Sequence, residues 1–203
     1  MNIIFLAFLL AMQTAAVHEL ASPRYPLLAA SGGNVVAIVQ PNKEYPKVLI
    51  LSAEEPFAGT VRDALSQWHT DKDIVVVINF QSGLDMENTE NGIKLVPTVR
   101  RTNCPQKDRR LPIPTMIVDS VLPDPPPEED VYGSVVIRLR ISASGAVQGA
   151  DIVQGIKEYY QPVIKAVKQW KFLPALHEDG TPVKSEAYGI CVYRIPLPGV
   201  SLH

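Results

Sequence analysis

Few side chains in this sequence are of the kinds that do chemistry. The four histidines are His18, His69, His177 and His203, and none stands at metal-ligand spacing with another or with a cysteine. Thiols occur only at Cys104 and Cys191. Either would need a base to act as a nucleophile, and His177 is the one candidate. In an oxidising compartment the two cysteines would close one disulfide; otherwise they are partly buried free thiols, and the sequence leaves both readings open. Glu54-Glu55 and Glu128-Glu129-Asp130 are neighbours along the chain, whereas a catalytic carboxylate pair must converge in space. No G-x-S-x-G elbow occurs, and no glycine-rich loop opens a helix. The expectation is a chain that is not an enzyme and takes no cofactor and no metal. Nucleic acid is also excluded as a partner. The formal net charge is −2, and the densest basic stretch, Lys107-Asp108-Arg109-Arg110, is short and reads as a solvated loop.

Binding is what remains, and it needs a scaffold. The scaffold is legible in an internal echo. Ala64-Leu65-Ser66-Gln67-Trp68 recurs as Ala166-Val167-Lys168-Gln169-Trp170, about half the chain later. Upstream, Pro23, Pro26, Gly33 and Val35-Val36 stand over Pro123, Pro126, Gly133 and Val135-Val136. Each copy reads as strand, turn, strand, helix, strand. In the second copy Val135, Ile137, Leu139 and Ile141 alternate with Ser134, Arg138 and Arg140, the period of a half-buried strand. Ser142-Ala143-Ser144-Gly145 supplies a turn, and Val147 to Val153 returns. Tyr160, Val163, Ile164, Val167 and Trp170 then fall on one face of a helix, with Pro162 in its first turn. In the first copy the helical stripe is Phe57, Val61, Ala64, Leu65 and Trp68, with Thr60 as a candidate cap and Asp63 three residues on. At this spacing Trp68, Trp170 and Phe172 are core anchors rather than ligand-stacking surfaces.

The third strand of the first copy, Ile74 to Phe80, is almost wholly apolar and is expected to be covered on both faces. That of the second, Ala187 to Ile195, is mixed and lies near the chain end, which places it at a sheet edge. The predicted fold class is α+β: two tandem ββαβ units, each a small antiparallel sheet with a helix packed on one face. The units span 23–80 and 131–196. Residues 81–130 between them hold polar turns and a strand near Ile93 to Val99, and end in a Pro-rich spacer, Leu122 to Pro127. At the start, Ile3 to Met12 is an apolar run too short to span a bilayer, followed by Thr14-Ala15-Ala16. Residues 1–16 read as a signal peptide, implying a periplasmic or secreted protein; the alternative is an uncleaved N-terminus tethered to the inner membrane.

With the repeat laid out, the second copy resembles the TonB C-terminal domain. The resemblance rests on G-S-V-V-I-R-L-R-I at Gly133 to Ile141, the S-x-S-G-x-V turn ending at Val147, and A-V-K-Q-W-K-F-L-P-A at Ala166 to Ala175. Asp179-Gly180-Thr181-Pro182-Val183 and the closing strand complete it. The first copy resembles a degenerate version: Tyr25-Pro26-Leu27-Leu28-Ala29 fits the family's opening Y-P-x-x-A, while the F-x-P-A after the tryptophan is missing. The resemblance implies a periplasmic protein-interaction module that binds an extended partner segment by adding it to a strand edge. The partner would be a protein of the bacterial envelope, an outer-membrane receptor among them. The implied docking strand carries Tyr188, Ile190, Val192 and Tyr193. The apolar run is shorter than a membrane helix and the Pro-rich stretch is brief, unlike the motor-coupled members of the family. The second expectation is therefore an architectural envelope protein whose two units pair with each other and transduce no energy.

Overall fold

A computed structural model of the chain describes residues 20–26, 29, 32–81, 86–89, 92–95, 99–105, 109–120 and 133–194. The proposed signal peptide, the Pro-rich stretch Leu122–Pro127, Lys107 and Asp108 of the basic patch, and Ile195 lie outside them. The first half runs β1 (Gly33–Gln40), β2 (Lys47–Ala53), α1 (Ala58–Leu65) and β3 (Ile74–Gln81). Four strands follow: β4 (Met86–Thr89), β5 (Gly92–Leu95), β6 (Val99–Arg101) and β7 (Ile113–Val118). The second half runs β8 (Gly133–Ile141), β9 (Val147–Gly155), α2 (Tyr160–Val167), β10 (Lys171–Leu173), β11 (Ala175–Leu176), β12 (Pro182–Val183) and β13 (Ser185–Tyr193).

The protein is α+β and mostly strand. The expectation of two separate small sheets does not hold. One six-stranded sheet carries both halves, in the order β2-β1-β3-β13-β8-β9. Every pair in it is antiparallel except the central one, where β13 runs parallel to β3 with Tyr188 opposite Val76 and Tyr193 opposite Gln81. A parallel join between two otherwise alike halves relates them by a half-turn about an axis along the strands. Such a rotation exchanges the faces of the sheet, so the helices must lie on opposite sides. They do. Val61 and Leu65 of α1 pack with Val35, Ala37, Val76 and Ile78 on one face. Val163 and Val167 of α2 pack with Ile137 and Leu139 on the other.

Local chemistry accounts for each element. In β8 the register alternates buried Ile137, Leu139 and Ile141 with exposed Arg138 and Arg140. The hairpin to β9 turns at Gly145, whose φ of +80° suits a residue without Cβ, and the Ser142 hydroxyl accepts the Ala146 N–H at 3.0 Å. All eight residues of β3 are buried, as expected for a strand covered on both faces. In α1 the N-cap is Phe57, not Thr60; the Thr60 hydroxyl instead donates to the Arg24 carbonyl at 2.8 Å, tying the N-terminal segment to the helix.

The intervening segment is more than a spacer. β7 forms a three-stranded sheet with β6 and β10, and its Ile113, Ile117 and Val118 join the core on the α2 face against Val36, Ile38, Val75 and Val77. The side of the first half that its own helix leaves open is thus covered by the middle of the chain. Both layers bury apolar area, at roughly 25 cal/mol per Å² removed from water.

Candidate functional site

The strand expected at a sheet edge is in the middle. β13 bonds β3 on one side and β8 on the other, so Tyr188, Ile190, Val192 and Tyr193 present no unpaired backbone row to a partner. Ile190, Val192 and Tyr193 are buried and Tyr188 is half-buried. Sequence position near the chain end suggested an edge, but position along the chain does not set position across a sheet. The first half supplies the neighbour.

Both tryptophans press on this strand from opposite faces. Trp68 meets the Tyr188 ring edge-on at 5.5 Å. Trp170 lies across Gly189, where a Cβ would come within 3.2 Å of the indole. Both are buried, and each indole N–H reaches the carbonyl of a segment outside its own unit: Trp68 donates to Ala21 at 2.7 Å and Trp170 to Val118 at 2.9 Å. An indole N–H left unpaired here would carry a desolvation cost. Phe172 is also buried, in β10 on the α2 face.

Cys104 and Cys191 are free thiols in the structure, so the disulfide weighed from the sequence is not formed. Burial pushes both thiols up in pKa, which makes them poor nucleophiles at neutral pH. Cys104 is partly buried against the core on the α2 face. His177 lies 3.6 Å from Asp179, with both side chains exposed. Among the described residues no group of three or more His, Cys, Asp and Glu side chains is arranged to hold a metal. No helix among them is long and apolar enough to cross a membrane.

A buried polar cluster that sequence reasoning missed sits where β1, β3 and β13 meet β7. The Asn79 amide donates to Asn34 at 2.9 Å and to the Asp119 carboxylate at 2.7 Å. The Gln81 amide bonds Asn79 and, at 2.8 Å, the Ser120 hydroxyl, which meets the Tyr193 hydroxyl at 2.6 Å. Arg100 of β6 closes it, 3.6 Å from Asp119 and 3.8 Å from Glu54. Burial pushes the Tyr193 phenol well above its ordinary pKa, so it stays neutral and able to donate. The sequence signal was an Asn within an otherwise apolar strand, a residue that must find partners if buried. The cluster pins the intervening segment to the sheet.

With β13 enclosed, the outer strands of the six-stranded sheet are β2 and β9. Each pairs on one side only among the described residues. These are where main-chain N–H and C=O groups face outward.

Residues 123–195 match the family model described as Gram-negative bacterial TonB protein C-terminal. The second half is a TonB C-terminal domain. TonB C-terminal domains are protein-interaction domains of the bacterial envelope, and that is the class of site to look for here. No curated protein matches the chain. In TonB C-terminal terms β8, β9, α2 and β13 are the ββαβ run whose motif residues the sequence displays, and β3 of the preceding half lies along its last strand.

Proposed function

We propose that this chain is a protein-interaction module of the bacterial envelope in which a TonB C-terminal domain has its last strand capped by its own preceding half. The observation that carries the proposal is the pairing of β13 on both sides, parallel to β3 and antiparallel to β8. Strand addition is the binding mode that the family resemblance implies, and it needs an open edge. The edge beside β13 is taken, so a partner strand would add at an outer strand of the joined sheet. In this reading residues 23–80 are a degenerate copy of the TonB C-terminal unit kept for that capping role, residues 1–16 are a cleaved signal peptide, and the chain works in the periplasm. It does not transduce energy, because the strand by which TonB holds a transporter is enclosed.

Hydrogen exchange of the full-length mature chain tests this. The amides of Tyr188 to Tyr193 are expected among the slowest in the protein, on a par with those of β3, because opening the seam requires global unfolding. Exchange of these amides as fast as that of an outer strand would overturn the capped arrangement and return β13 to the role of an open docking edge.

A further inference from the structure

The two outer strands are not alike. β2 follows Pro46 and begins with Lys47, two residue types that discourage pairing at an edge. β9 contains neither proline nor lysine, and its one charged side chain is Asp151. Its last two residues are occupied. The Gln154 amide accepts the Leu20 N–H at 2.8 Å and donates to the Leu20 carbonyl at 2.6 Å, as a neighbouring strand would, and the Tyr160 hydroxyl donates to the Gly155 carbonyl at 3.0 Å. Register shifts against β8 fall at both ends, between Val136 and Ile137 and between Arg140 and Ile141. Between them Gly149, Ala150, Asp151 and Ile152 form a regular ladder.

The two faces of that stretch differ in chemistry. On the α2 face, Ala150 and Ile152 are half-buried beside Leu139 and Ile137. On the α1 face, Asp151 stands opposite Arg138 and Gly149 opposite Arg140. Both arginines pair with the one carboxylate, Arg138 at 3.6 Å and Arg140 in direct contact. Arg140 reaches it by crossing Gly149, where any Cβ would collide with the guanidinium. Glu186 of β13, opposite Arg140 on the same face, is paired with Lys72 at 3.6 Å, so the two arginines are left with Asp151 as their one carboxylate and the α1 face of this edge carries a net positive charge. A second copy pairing through its own β9 would bring like charge against like.

We infer that β9 is the docking strand of this chain, and that its partner is an extended protein segment with acidic side chains toward Arg138 and Arg140 and apolar ones toward Ala150 and Ile152. The inference rests on the interaction function proposed above and names the edge and the partner chemistry. Backbone bonds would supply the attachment, and the alternation of charge and apolar contact would set register and choice of partner.

The test uses the full-length chain and two short peptides, one alternating valine with glutamate and the other valine with lysine. The glutamate peptide is expected to shift the backbone resonances of Gly149 to Ile152 and to bind about tenfold more tightly than the lysine peptide at low salt. Arg140→Gln alters an exposed side chain and should leave the fold intact while erasing most of that preference. Equal binding of the two peptides, shifts centred on β2, or no binding of either overturns the assignment. Any of these results together with slow exchange across β13 rejects the β9 proposal alone; fast exchange across β13 rejects the function beneath it.

Discussion

Each half of the molecule stacks two aromatic rings where its helix meets its last strand, and the two stacks are built from different chemistry. In the first half Phe57 lies on Phe80, centroids 4.3 Å apart, and Tyr25 stands edge-on to both at 5.7 Å. In the second, Tyr159 lies on Tyr193, again at 4.3 Å. The first stack is closed by a ring from the N-terminal segment and is apolar. The second borders the polar cluster of the intervening segment, and the Tyr193 hydroxyl bonds Ser120 there. The Tyr159 hydroxyl is buried with no hydrogen-bond partner among the described residues. The half-turn that relates the halves explains the contrast. It puts the stacks on opposite faces, and the two faces are covered by different parts of the chain. Similar local elements acquire different surroundings once they share one sheet.

The largest effects are expected at the tryptophans. Trp68→Ala and Trp170→Ala should each cost about 3–5 kcal/mol, as large-to-small aromatic changes in cores do. Because β3 and β13 bond each other, both losses should appear in one cooperative denaturation transition followed by circular dichroism. Two separable transitions, one moved by each variant, would mean that the halves fold as independent units and that the seam contributes little.

A smaller effect sharpens the contrast between the stacks. Tyr193→Phe removes a bonded, buried hydroxyl and leaves Ser120 short of a partner, so it should cost about 1 kcal/mol. Tyr159→Phe removes a buried hydroxyl that bonds nothing and should be neutral or slightly stabilising. Urea denaturation of the two single variants decides. Equal costs would mean that Tyr159 has a partner of its own.

The smallest effect lies across the seam on the surface. Lys72, before β3, approaches Glu186 of β13 at 3.6 Å, with both side chains well exposed. Lys72→Ala should lower stability by less than about 1 kcal/mol, and the difference should shrink as salt is raised. A larger, salt-insensitive loss would show that this pair, rather than the buried strands, holds the halves in register.

Much of the fold was legible residue by residue. The alternation from Val135 to Ile141, the turn at Ser142–Gly145 and the helical stripe ending at Trp170 all describe contacts within a few residues or one element, and periodicity reports those directly. The wholly apolar Ile74–Phe80 announced a strand covered on both sides. The docking edge was not legible. Ala187 to Ile195 reads as an edge strand because it is mixed in composition and lies near the chain end. Tyr188 and Glu186 are instead accommodated by Trp68 and Lys72 of the other half. Nor were the partners of Asn79, which come from β1 and from just after β7.

By itself, then, the sequence determined the elements, their buried faces, the tryptophan anchors and the TonB C-terminal character of the second half. Those follow from short-range patterning and a motif. Only the tertiary structure decided that β13 is interior, that the helices lie on opposite faces, that Cys104 and Cys191 stay apart as free thiols, and that β9 is an outer strand. Each depends on which strand bonds which. A strand offers the same N–H and C=O groups on both sides whatever its side chains, so the choice of neighbour is made by the packing of the whole chain.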